Sequence, residues 1–129
     1  MMKEETLLDI GEFECIHRIA HDLIYRPELV KLGTGDDGAV FMTPCGYDEV
    51  ISTDTMVEGI HFTKRTMSAA DTGYHLCAVN FSDMAAMGAE PVSFVISAAL
   101  PGDLSITWIE SCYDGIRECC REYSVNLLG

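Results

Sequence analysis

The chain has 129 residues, with 21 Asp and Glu against 8 Lys and Arg, and a formal charge of −13 at pH 7. This length is typical of a single domain, and an apolar fraction of 48% predicts a folded chain with a hydrophobic core. A chain this acidic repels phosphate backbones and anionic surfaces, which argues against a nucleic-acid partner and against membrane-surface binding. A polyphosphate ligand would need metal ions or a local basic patch.

The cysteines and the N-terminus indicate the compartment. The six cysteines form no C-x-x-C pair, and no His lies at zinc-ligand spacing from one of them. The acidic N-terminus lacks the apolar core of a signal peptide, and no apolar run is long enough to span a membrane. We therefore expect a reduced, soluble, cytoplasmic protein.

The first half of the chain predicts one helix and two short strands. Apolar residues at helical spacing predict a helix over residues 11–24, followed by a loop over residues 31–37. Residues 38–43 and 49–54 are typical of short strands, joined through a turn.

The second half carries clearer signals. Ser68 followed by Asp71 resembles a capping box, an apolar stripe extends to Ala85, and Gly88 suits the left-handed residue after a helix. Residues 92–100 predict a strand that is apolar or small on both faces and therefore central. A third helix over about 109–123 and a strand from Val125 follow. This alternation indicates an α/β (α+β two-layer) fold.

Two loop segments carry aspartates that are individually weak signals. Asp36 and Asp37 lie in a G-x-G-x-x-G match at residues 33–38, but this match precedes a strand, unlike a dinucleotide-binding turn. The segment 52–54 supplies two hydroxyls and a carboxylate at the end of the next predicted strand. An isolated aspartate of either kind is more often a turn former than a ligand. No G-K-S/T sequence occurs, which excludes a P-loop.

A third aspartate makes it more plausible that the first two segments bind a ligand. Asn80 and Asp83 are three residues apart on the second predicted helix, beside its apolar stripe. Three elements thus present carboxylates together with hydroxyl or amide oxygens, the hard donors that suit Mg²⁺. Magnesium would also reconcile an acidic protein with an anionic nucleotide.

Three segments together resemble the thiamine-monophosphate kinase family, which belongs to the ATP-binding superfamily of aminoimidazole ribonucleotide synthetase and selenophosphate synthetase. They are LGTGDDGAV (32–40), ISTDTMVEGIHF (51–62) and AVNFSDMAAMGAEP (78–91), in the expected order. The resemblance implies that residues 1–129 are an N-terminal ATP- and Mg²⁺-binding domain with a mixed β-sheet, helices on one face and homodimerisation through that sheet. It also implies ATP-dependent phosphorylation of thiamine monophosphate to thiamine diphosphate.

The same resemblance implies roles for individual residues. The implied metal ligands are Asp37, Ser52, Thr53, Asp54 and Asp83, with His61 on the thiamine substrate, Tyr123 on the nucleotide, and Asp36 beside the metal site. The attacking phosphate oxygen, with a second pKa of about 6, is ionised at neutral pH, so no general base is required. Catalysis would consist of aligning two anions and neutralising their charge.

Other readings stay open. The family's Gly-Gly-Asp-Thr loop would begin at about Gly129 and a C-terminal domain would follow, so we expect residues 1–129 alone to be inactive. Another ATP-using member of the superfamily, of the hydrogenase-maturation or purine-pathway type, is an alternative. Selenophosphate synthetase is disfavoured, because residues 1–32 offer only Cys15, inside a helix stripe. A non-catalytic dimerisation module would need none of the three acidic elements.

Overall fold

The computed structural model describes residues 2–129, which form helices joined to short strands. The helices are α1 (Leu7–Ile19), α2 (Ala69–Ala86) and α3 (Ile106–Tyr123), and a 3-10 turn spans Pro27–Leu29; the strands are β1 (Val30–Leu32), β2 (Val40–Phe41), β3 (Ser93–Phe94) and β4 (Asn126–Leu127). β1 and β2 form an antiparallel hairpin, and β3 pairs with β4 in parallel. The α/β class is confirmed. Within residues 2–129, no helix is long and apolar enough to cross a membrane.

Helix α2 begins and ends where local chemistry predicts. The Ser68 hydroxyl accepts a hydrogen bond from the Asp71 N–H at 3.0 Å, which satisfies one of the free donors of the first turn. Gly88 follows the helix with φ +68°, a conformation that a side chain disfavours.

Helix α1 differs from the predicted 11–24 at both ends. It begins at Leu7 and kinks at Gly11, whose φ is +78°. The N–H and hydroxyl of Thr6 donate to one Asp9 oxygen at 2.9 and 2.8 Å, and these bonds hold the pKa of Asp9 below its usual range. The helix ends at Ile19, and the Arg117 guanidinium donates hydrogen bonds to the carbonyls of Ile19 and His21 at this end.

The core forms where α2 crosses α3. A Cβ added to Gly115 would lie 1.8 Å from the Ala70 carbonyl oxygen, and one added to Gly73 would lie 1.9 Å from that of Cys112. The two helices thus approach at backbone distance, which only glycine permits at both positions. Buried side chains around this crossing include Cys77, Phe81, Ile116, Cys119 and Cys120, together with residues of β4. A second cluster lies between α1 and α3.

The strands are shorter than predicted. Residues 92–100 pair only near β3, where the Asn126 N–H binds the Val92 carbonyl and the Ile96 N–H binds the Gly129 carbonyl. Residues 49–54 form no strand in the described chain, which corrects that prediction, and the loop predicted at 31–37 begins as part of β1. A strand needs a hydrogen-bonding partner, and no described segment pairs with residues 49–54. The strands lie in two separate two-stranded sheets.

Candidate functional site

The predicted metal loop lies at the tip of the β1–β2 hairpin. Asp36 and Asp37 are exposed, and the Asp36 carboxylate accepts a hydrogen bond from the Asp37 N–H at 2.8 Å. Gly35 has φ +108°, a value that allows the tight turn and excludes most side chains. This local geometry presents two adjacent carboxylates to solvent on a short hairpin.

The segment Ser52, Thr53 and Asp54 is exposed and has no regular secondary structure, so it is not the strand end that the sequence predicts. The Asp54 carboxylate accepts a hydrogen bond from the Thr55 N–H at 2.8 Å through one of its two oxygens. The three side chains face no buried environment and are accessible to solvent.

Asp83 lies on the exposed side of α2, two residues after the buried Phe81. The helical period places residue 83 about 200° around the helix from residue 81, so Asp83 lies opposite the apolar stripe, which corrects the prediction that it lies beside it. The Asn80 amide donates to the Leu76 carbonyl at 2.8 Å and is used within the helix.

His61 closes its own loop. Its Nδ1 accepts a hydrogen bond from the Val57 N–H at 2.9 Å, and the His61 N–H donates to the Val57 carbonyl at 2.9 Å. Because Nδ1 is an acceptor, the neutral ring carries its proton on Nε2, where it can donate to a ligand. The ring is exposed, so the two hydrogen bonds with Val57 leave the Nε2–H donor accessible to a ligand.

Tyr123 borders a small recess at the end of α3. Its ring meets Phe81 edge-on with centroids 5.7 Å apart, and Phe81 meets Phe94 in the same way at 5.5 Å. The recess measures about 260 Å³ and is lined by Ala78, Phe81, Ser82, Ala85, Pro91 and Tyr123. The structure therefore places Tyr123 beside the part of α2 that leads to Asp83.

The predicted ligands are not gathered into one preformed centre. Among residues 2–129, no three acidic, thiol or imidazole side chains cluster so that they could hold a metal ion. The donors are of the chemical type that binds Mg²⁺. They lie on three separate parts of the chain: the hairpin, the segment 52–54 and α2. The larger cleft, about 520 Å³, contains none of these residues and is lined by Asp22, Tyr25, Asp114, Arg117, Glu118 and Arg121.

Comparison with known proteins identifies the family of this chain. Residues 35–129 match the family described as AIR synthase related protein, N-terminal domain. The chain belongs to this family. It is 38% identical over 120 residues to thiamine-monophosphate kinase of Bacillus subtilis, and 41% identical over 95 residues to that of Synechococcus elongatus. These alignments cover 93% and 74% of the chain but 37% and 29% of the relatives.

A solved structure shows the same fold. The crystal structure of thiamine-monophosphate kinase from Stenotrophomonas maltophilia superposes on this AIR synthase-related domain with a TM-score of 0.75 and 31% identity. The match covers 99% of the chain and 39% of that protein. The resemblance drawn from the three sequence segments is confirmed, and the chain spans 29–39% of the length of these relatives.

Sequence reasoning missed two anchoring residues. Arg117 holds the end of α1 through two carbonyls, and Asn126 is fully buried with three hydrogen bonds to Tyr25 and Arg26. The signal for Asn126 was one amide inside the otherwise apolar run 125–128. A polar residue at such a position must be satisfied inside the fold.

Proposed function

We propose that this AIR synthase-related domain is the N-terminal part of an enzyme that transfers a phosphoryl group from ATP to thiamine monophosphate, forming thiamine diphosphate. The observation that carries the proposal is its 38% identity to a thiamine-monophosphate kinase over 93% of the chain, with all three acidic segments inside the aligned length. Residues 1–129 would be the ATP- and Mg²⁺-binding and dimerisation domain, acting together with a C-terminal domain.

The proposed metal ligands are Asp37, Ser52, Thr53, Asp54 and Asp83, with Asp36 beside them. Their exposure and oxygen chemistry support this role, because Mg²⁺ in proteins takes oxygen ligands. When bound, Mg²⁺ neutralises charge between the two anionic substrates. The separate positions of the donors imply that the site closes only when substrates and the rest of the enzyme are present.

His61 and Tyr123 would bind the organic parts of the substrates. The Nε2–H of His61, directed outward by the Val57 bond, is a hydrogen-bond donor for thiamine monophosphate. The recess beside Tyr123 is apolar and aromatic, which suits one face of the adenine ring. In this arrangement the chain binds and orients both substrates, and the acceptor phosphate needs no base.

Exposed apolar residues support a homodimer through the sheet. Ile51 is 96% exposed, Ile60 76% and Val95 69%, and each strand of the two sheets pairs on one edge only among residues 2–129. Such edges and side chains indicate pairing with another strand, and a second copy supplies one. Its ionic substrates and its free thiols are consistent with a cytoplasmic location. We propose no role for nucleic acid or membranes.

Two other functions would use the same features differently. A superfamily member of the hydrogenase-maturation or purine-pathway type would bind ATP and metal but use another acceptor. A non-catalytic dimerisation module would need the exposed sheet edge and none of the carboxylates. The names of the aligned relatives favour the thiamine-monophosphate kinase reading over both.

The test is thiamine diphosphate formation by a fusion of residues 1–129 to the downstream region of the Bacillus subtilis relative. We expect activity that depends on Mg²⁺, and none from residues 1–129 alone. Asp83→Asn should lower kcat/KM about a hundredfold or more, as expected for loss of a group that stabilises transferring phosphate. The matched control is Asp48→Asn, also exposed. Equal activity of the Asp83 and Asp48 variants would contradict the metal assignment.

A further inference from the structure

Asn126 occupies a position that the proposed reaction does not use. It lies in β4, its side chain is 0% exposed, and its Oδ1 accepts hydrogen bonds from the N–H groups of Tyr25 and Arg26 at 2.8 and 2.7 Å. Its Nδ2 donates to the Arg26 carbonyl at 3.1 Å. Two N–H donors on one side and a carbonyl on the other fix the orientation of the amide.

These bonds make the segment 23–26 a partner of β4. The Leu127 N–H also donates to the Leu23 carbonyl at 3.0 Å, and the Leu23 side chain is buried among residues of α2 and α3. Asn126 thus extends to Arg26 an attachment that the backbone alone makes at Leu23. The Asn126 side-chain amide supplies hydrogen bonds of the kind that the backbones of two paired strands make with each other.

The attached segment is the root of the β1–β2 hairpin. The 3-10 turn begins directly after Arg26, and the Leu29 N–H donates back to the Arg26 carbonyl. Among the helices and strands of residues 2–129, β1 and β2 contact mainly each other and this turn. The ion pairs of Arg26 with Glu28 and Glu90 are 3.6 Å long, and both glutamates are exposed to solvent. These ion pairs therefore contribute little to holding the segment 23–26 in place.

We propose that Asn126 is a positioning residue that fixes the Asp36–Asp37 hairpin relative to the α2–α3 core. The inference rests on the proposed function only for its consequence, because Asp37 is a proposed metal ligand at the hairpin tip. Through Arg26 and the 3-10 turn, one buried amide sets where that ligand lies relative to Asp83.

The test measures the orientation of the hairpin in the 129-residue chain by N–H residual dipolar couplings. In the native chain, couplings of β1, β2, α2 and α3 should fit one alignment tensor. Asn126→Leu removes all three hydrogen bonds, so hairpin couplings should fall by about twofold or more while the helices still fit one tensor. Asn80→Leu, the other asparagine, is the matched control and should leave the hairpin unchanged.

A conservative variant separates positioning from packing. In Asn126→Asp, a protonated carboxyl can accept from Tyr25 and donate to the Arg26 carbonyl, whereas a carboxylate repels that carbonyl. Hairpin couplings should therefore be native at low pH and depart as the new carboxyl ionises, and this variant decides the question if the leucine variant unfolds. Unchanged hairpin couplings in both variants, or a native hairpin that does not share the helix tensor, would overturn the proposal. Kinase activity has no bearing on either result, so the proposed function is tested separately.

Discussion

The crossing of α2 and α3 gives a prediction whose size follows from the coordinates. Gly115→Ala places a methyl group 1.8 Å from the Ala70 carbonyl oxygen and 2.7 Å from its carbon. Both are backbone atoms, so no side chain can rotate away, and the helices must separate by more than 1 Å to reach ordinary contact, roughly 3.4 Å or more. That separation loosens the packing of Ile116 and Cys77 around the crossing.

Two opposing effects set the magnitude. Overpacking a close interface costs about 1–3 kcal/mol, and the upper end applies because the clash is with backbone. Alanine gains about 1 kcal/mol over glycine from helix propensity. We therefore expect Gly115→Ala to lower the free energy of unfolding by about 2 kcal/mol, a large fraction of the stability of a small domain.

The assay is urea unfolding followed by helical circular dichroism and by fluorescence of the single tryptophan, Trp108, on α3. Gly33→Ala is the matched control, because its added Cβ meets only side-chain atoms at 3.8 and 3.9 Å, and we expect a change within about 0.5 kcal/mol. If Gly115→Ala unfolds at the same urea concentration as the native chain, the backbone-distance crossing is wrong.

Two further predictions concern local structure. Ser124 ends α3 with φ +55°, so Ser124→Gly should raise the free energy of unfolding by about 0.5–1 kcal/mol while Ser124→Ala should not; equal urea midpoints for the two would contradict the left-handed cap. The lowered pKa of Asp9 stabilises the fold above its unfolded value of 3.8, and this contribution is lost as pH falls through the lower folded pKa. Thr6→Val should therefore reduce stability at pH 6 and lose its effect once the pH has fallen below the folded pKa of Asp9, whereas a pH-independent effect would exclude the Thr6 contact as the cause.

Local signals predicted the helices better than the strands. Ser68 and Gly88 act through their own backbone neighbourhood, so the bounds of α2 follow from the sequence. The contact of Arg117 with the end of α1 joins residues nearly a hundred positions apart, and no local pattern encodes it. Residues 49–54 have strand-like composition, but no segment among residues 2–129 pairs with them.

In the candidate site, too, local sequence identifies the residue types but not their spatial arrangement. The sequence identifies which oxygen-bearing residues are chemically suited to Mg²⁺, and the structure confirms that Asp37, Asp54 and Asp83 are exposed. Their roles remain predictions, because the described residues contain no assembled metal cluster. How the hairpin, the segment 52–54 and α2 lie relative to one another depends on tertiary contacts, which sequence spacing does not specify.

The distribution of thiols has a practical consequence for chemical labelling. Cys15, Cys77, Cys119 and Cys120 are buried and Cys112 is half-buried, whereas Cys45 is exposed in the turn after β2. Burial raises the pKa of Cys112 to about 11 and that of Cys119 to about 12, so these thiols react slowly at neutral pH. A maleimide would therefore modify Cys45 first, close to the hairpin. Modification of residues 1–129 by such a reagent would therefore report the exposure of Cys45 beside the hairpin and should not be read as evidence for a nucleophilic cysteine.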